Sequence, residues 1–233
     1  VTATAKPAVT PVADEIMGET LDEDFAPKFR ETGQVVNAQH LRAALGERGY
    51  QLLGADTFDA PLSDRARGWA ETGDIDSLGH KLGARLARQL PEEIERLVGR
   101  IQALLESGWR AVQVVTDHGW LLLPGGLPKV ALPRHLTTSR WARCAIIAGE
   151  SNPDIPRVPW HWNADQFFAA APGIACFVAS EEYAHGGLSV QECLIPELFV
   201  ERGAEPATQA TITSITWRRL RCFVEVSVRG GGQ

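Results

Sequence analysis

Residues 91–119 read PEEIERLVGRIQALLESGWRAVQVVTDHG. Ile94, Leu97, Ile101, Leu104 and Leu105 recur at three- and four-residue steps, Pro91 suits a first turn and Gly108 stops the run, so an amphipathic helix is expected. From Trp109 to Val115 the texture turns β-rich, as in a short buried strand. Asp117 and His118 stand side by side where that strand ends, and in open α/β sheets ligands sit beyond the carboxyl ends of strands. Gly119 would let the backbone turn away.

The same alternation continues on both sides. Leu41, Ala44, Leu45 and Tyr50 fit one helical face closed by Gly49, with Gln51–Leu53 as a short strand. Ala142–Ala148 and Gly173–Ala179 are apolar runs of strand length. Helices alternating with buried strands predict an α/β fold, three layers with a mostly parallel central sheet, over residues 1–203. Ala210–Trp217 and Arg221–Val228 alternate like antiparallel strands, so residues 204–233 read as the start of a β-rich module. Pro7 and Pro11 make the first thirty residues a loop leading to a short helix, and residues 54–73 an irregular surface segment is expected to fill.

At 233 residues the chain can bury one α/β core. Its formal charge of −6 argues against nucleic-acid binding through the overall field, although Arg218, Arg219 and Arg221 could form a local patch. Cys144, Cys176, Cys193 and Cys222 form no Cys-x-x-Cys pair, so reduced thiols and a cytoplasmic setting are expected. No run of about 18 apolar residues and no signal-peptide pattern is present, so no membrane association is expected. Val1 in place of Met and the closing Gly230-Gly231-Gly232-Gln233 suggest a stretch of a longer protein.

Asp76 and His80 are four residues apart, which on a helical turn aims both the same way and suits a divalent ion. An Asp capping the helix through Leu82 and Leu86 would give the same spacing. Asp117 could equally serve a turn, and His185, ahead of Gly186 and Gly187, could be a surface or core histidine. Together, two Asp and three His supply most of a two-metal site, with zinc the first choice and manganese compatible. Glu192 could orient His185 or cap a helix. Trp160-His161-Trp162-Asn163-Ala164-Asp165 fits a packed aromatic cluster better than a base-stacking pocket. His40 and His135 lack a carboxylate at useful spacing.

Asp76-x-x-x-His80, then Thr116-Asp117-His118-Gly119 after a Val-rich strand, then His185-Gly186-Gly187-Leu188-Ser189-Val190-Gln191-Glu192, together with Ser139-Arg140-Trp141-Ala142-Arg143-Cys144-Ala145, resemble the alkaline phosphatase superfamily. The wording is similar to the PglZ proteins of BREX-type phage-defence systems. The resemblance implies one metal on Asp76, His80 and His185, a second on Asp117 and His118, and a nucleophile at Thr2, with Thr4 in reserve. It implies a phosphate ester substrate, a nucleotide or nucleic acid among the candidates, and other subunits of a defence complex as partners. Arg140 and Arg143 could clamp a phosphate, but facing solvent or bracing the next strand is the reading their setting favours. The superfamily also takes a metal-binding Asp from an upstream strand that this chain starts too late to contain, so weak occupancy of the second position and poor activity are expected. The alternative is a metal-binding or scaffold subunit that catalyses nothing. A sulfatase signature, Cys-x-Pro-x-Arg, is absent from the sequence.

Overall fold

The computed structural model describes residues 2–22, 24–132, 137–147, 155–203, 209–218 and 221–229. Thr2–Ala8 form a short helix, α1, where the sequence predicts a loop. Pro7 lies near its end, where a missing N–H forfeits a single helical bond. Pro7 is buried, and its carbonyl accepts from the Thr10 hydroxyl at 2.7 Å.

β1 (Ile16–Met17) pairs antiparallel with β2 (Lys28–Phe29). α2 (Ala38–Glu47) starts on Asn37, whose side-chain oxygen accepts the His40 N–H at 2.9 Å and satisfies a free helix-end donor. Its Leu41, Ala44 and Leu45 pack with Val12, Ile16, Phe29 and Val36 in one apolar cluster. β3 (Tyr50–Leu53) runs parallel to β4 (Arg67–Ala70), so part of the segment expected to be irregular is a strand. Gly68 is required there because the Trp109 ring lies on it: a Cβ would come within 2.7 Å of that ring.

α3 (Ile75–Leu82) passes through the 3-10 turns of Gly83–Arg88 into α4 (Leu90–Glu106). Ile101 and Leu104 of α4 are buried, while Ile94 stays exposed. β5 (Ala111–Val115) and β6 (Leu121–Leu122) flank the Asp-His-Gly turn. β7 (Thr137–Arg140), β8 (Cys144–Ile147), β9 (Arg157–Trp160) and β10 (Asn163–Ala170) form a sheet in the order β7-β8-β10-β9, antiparallel throughout. β11 (Tyr183–Ala184) pairs with β6, and after α5 (Val190–Cys193) β12 (Glu197–Glu201) pairs antiparallel with β5. β13 (Gln209–Arg218) and β14 (Arg221–Arg229) form the expected hairpin.

The mixture of helices and strands is α/β as read from the sequence, but the sheets are small. Among the described strands only β3 and β4 pair in parallel. Gly173–Ala179 is not a strand. Gly173 has φ 52°, and Cys176 makes a single bridge to Lys129 while Phe177 N–H donates to Ala142 O at 2.7 Å. Ala175, Cys176 and Phe177 are apolar because this loop is buried between other segments, and a buried loop has the same composition as a buried strand.

Candidate metal centre

Asp76 and His80 lie one turn apart on α3, and the pairing of β6 with β11 places the segments carrying His118 and His185 side by side. The rings of His118 and His185 stack, centroids 4.1 Å apart and planes 7° from parallel. His185 Nε2 lies 3.1 Å from Asp76 Oδ1 and 3.1 Å from His80 Nε2, and His80 Nε2 lies 3.6 Å from the same oxygen. Among the described residues these three form the one His/Cys/Asp/Glu group whose ligand atoms converge.

One N–H can bridge His80 Nε2 and His185 Nε2, whereas protons on both nitrogens would clash; a single cation could bind all three atoms at once. The three separations put a common centre about 1.9 Å from each atom, close to the roughly 2.0–2.2 Å of zinc–nitrogen and zinc–oxygen bonds, so Asp76, His80 and His185 would fit such an ion. Asp76 and His80 are half exposed, with side chains 47% and 52% accessible, whereas His185 is 12% accessible. The Asp76 carboxyl is held well below its ordinary range, first by its hydrogen bond with His185. It is therefore an anionic ligand throughout the neutral range.

His118 forms the second part. Its Nδ1 is 3.0 Å from Gly119 O, a bond that requires Nδ1 to carry the proton and leaves Nε2 as a bare lone pair. That Nε2 faces the Thr2 hydroxyl at 3.1 Å and lies 3.7 Å from Asp117 Oδ2. Burial holds the His118 imidazole below its ordinary pKa, against the pull of Asp117, so the neutral ring that a metal or a hydroxyl proton needs is favoured. His118 Nε2 thus has the Thr2 hydroxyl and the Asp117 carboxylate as its two polar neighbours. Thr4 is otherwise engaged: its hydroxyl donates to Phe25 O at 2.7 Å and accepts from Trp160 Nε1 at 3.0 Å. Trp162 Nε1 donates to Thr4 O at 2.9 Å, so the Trp160–Trp162 cluster fastens α1, and with it Thr2, to the sheet.

Gly119 also permits a close approach of two segments. A Cβ there would run into Gln191 O, because Gly119 N–H donates to Glu192 O at 2.9 Å and the two segments touch. Arg143 is fully buried and has no nitrogen left for a substrate. Nε and Nη2 bond Glu192 at 3.0 and 2.7 Å, Nη2 also reaches Gly173 O at 2.7 Å, and Nη1 bonds Ala175 O. Its phosphate-clamp role gives way to the bracing one. The Arg140 side chain and His135 lie outside the described residues. Glu192 does not touch His185. It accepts from Gly187 N–H at 2.8 Å and from the Ser189 hydroxyl at 2.7 Å, closing a capping box at α5 and fixing the loop that follows His185.

Tyr183 is the residue that spacing did not single out for a role. Its hydroxyl donates to Asp76 Oδ1 at 3.0 Å, and burial, then the Asp76 charge, push its pKa far up, so it stays a donor. The one sequence signal was Gly79, a helix-interior glycine between two candidate ligands, which costs about 1 kcal/mol relative to Ala and marks a close approach. A groove of about 620 Å³ lined by Trp109, Arg110 and Phe199 lies at the opposite end of β5 from His118 and takes no part in the centre.

Comparison with protein-family profiles, with curated proteins and with solved structures found no match.

Proposed function

We propose that this chain is a metal-dependent phosphoryl-transfer hydrolase, a phosphatase or phosphodiesterase of the alkaline phosphatase superfamily resembling the PglZ component of BREX defence systems. One observation carries the reading: Thr2 and His118, 116 residues apart in sequence, meet at 3.1 Å beside three converging metal-ligand atoms. A hydroxyl set against a two-part cation site is what in-line displacement at phosphorus requires.

Bound divalent ions would supply the charge that lowers the hydroxyl pKa and neutralises the phosphoryl oxygens. Asp76, His80 and His185 would hold one ion, and Asp117 and His118 would hold the other. His118 Nδ1–H, fixed by Gly119 O, keeps Nε2 turned to the Thr2 side. α1 holds the Thr2 hydroxyl on that side through the two indole bonds to Thr4. Thr2 Oγ1 would lose its proton to solvent and attack phosphorus as the ester P–O bond breaks, the leaving alkoxide taking up a proton and departing as the alcohol; water would then cleave the phosphothreonine P–O bond, releasing the phosphate product and restoring the Thr2 hydroxyl. A phosphate ester is the substrate class, and other subunits of a defence complex are the proposed partners.

The test is hydrolysis of a chromogenic phosphomonoester and phosphodiester by zinc- or manganese-loaded protein. Thr2→Val is expected to lower kcat at least about 100-fold, by analogy with the loss of an activated nucleophile, with metal binding at Asp76, His80 and His185 kept. Metal binding without turnover in the wild type, together with loss of stability in Asp117→Ala, would instead support a structural metal centre in a scaffold subunit.

A further inference from the structure

The geometry points to Tyr183 as the positioning residue of the Asp76–His80–His185 centre, its hydroxyl confining Asp76 to a single-oxygen ligand for a small first-row divalent ion. The inference rests on the metal-centre reading above.

Tyr183 and His185 are two residues apart on an extended segment and so face the same way, toward α3. The Tyr183 ring is 2% exposed and lies directly on the helix at Gly79, where any Cβ would collide with it. Its edge meets the His80 ring at 5.0 Å and 78°, and Trp120 covers it at 5.6 Å. One aromatic ring is thus packed between all three ligands, and its hydroxyl ends 3.0 Å from Asp76 Oδ1.

That oxygen is the one that faces both imidazoles. Asp76 is half exposed, and a carboxylate in that setting rotates freely unless something holds it. Among the described residues the phenol is the donor to Asp76 other than the two imidazoles. By occupying one lone pair of Oδ1 it leaves that oxygen a single direction in which to bind an ion, and so favours binding through Oδ1 alone. Two imidazoles and one carboxylate oxygen match zinc, cobalt or nickel, and are too few and too soft for calcium, which takes six to eight oxygens. His185 needs such help. Its Nδ1 is buried with no hydrogen-bond partner among the described residues, whereas metal-bound imidazoles usually have one. Its ring is held by the stack on His118 and by the chain position that Tyr183 anchors.

The experiment is a titration of the chelator-stripped full chain with cobalt(II) chloride, followed by its visible absorption, for wild type, His185→Ala, Tyr183→Phe, and Tyr183→Phe in an Asp76→Ala background. Tyr183→Phe keeps the ring and its packing. It is expected to weaken the binding that His185→Ala abolishes by about 10–100-fold, to change the cobalt spectrum, to leave metal-free melting unchanged, and to add no further loss once Asp76 is gone. Unchanged affinity and spectrum would overturn the role of Tyr183 and leave the centre standing. An equal loss in the Asp76→Ala background, or a matching fall in metal-free melting, would also overturn it, since the hydroxyl would then not act through Asp76. A wild-type chain that takes up no cobalt would remove both the inference and the centre beneath it.

Discussion

Glu192 shows how a residue can govern the site without touching it. Its side chain is 1% accessible and pairs with Arg143 at 0%, while its other bonds tie down Gly187 and Ser189. Burial opposes its ionisation, but the bonds from Arg143, Ser189 and Gly187 outweigh this and hold its carboxyl below the ordinary range. Glu192→Gln leaves the Arg143 charge buried and uncompensated, so a loss of about 3–5 kcal/mol is expected in denaturant unfolding at pH 7. Because the folded pKa is depressed, the pair's contribution is full above the unfolded carboxyl pKa of about 4.3 and is lost as pH falls through the folded value. The gap between wild type and variant should therefore narrow as pH falls below about 4.3; a constant gap would mean that ionisation of Glu192 is not what stabilises the loop. At this scale the sequence was legible where spacing is local. Asp76 and His80 share a helical face because they are four residues apart, and Asp117 and His118 are adjacent. Tyr183 was not legible, because nothing in its neighbourhood says that its hydroxyl reaches a helix 107 residues earlier.

Among the elements, α1 is the one on which the proposed nucleophile, Thr2, depends. The expectation of a loop weighed Pro7 against helix and missed that a proline near the end of a seven-residue helix loses little. Thr4→Val would remove the hydroxyl between Trp160 Nε1 and Phe25 O, leaving both without that partner, at a cost of about 1–3 kcal/mol. Faster amide exchange in residues 5–10 than in α2 should accompany it, with Thr2-dependent turnover falling while metal uptake at Asp76, His80 and His185 persists. Unchanged exchange in α1 would show that the indole bonds do not hold the helix. α2, α4, β5, β8 and the β13–β14 hairpin follow their apolar periods, as the sequence reading expects. Gly173–Ala179 departs from its pattern because burial sets composition whether or not a ladder of hydrogen bonds forms.

For the whole molecule, periodicity supplies helix and strand but not strand direction. β5 is followed by the Asp117-His118 turn, as a strand of a parallel sheet would be followed by its site, yet its described partner is the antiparallel β12, which arrives after some eighty residues of intervening chain. Long-range pairing of that kind leaves no local mark. The same holds for the centre itself, since segments around residues 2, 76–80, 117–118 and 183–185 converge only through the folded chain. No helix among the described residues is long and apolar enough to cross a membrane. The most direct test is elemental analysis of protein stripped with chelator, reloaded with zinc and dialysed, for wild type, His185→Ala and the Asp117→Ala, His118→Ala pair, with folding followed by circular dichroism. The expected result is close to one equivalent of zinc lost with His185→Ala, a smaller share lost with the Asp117, His118 pair, and native-like spectra for all three. Wild-type protein that is folded and retains no zinc would contradict the account.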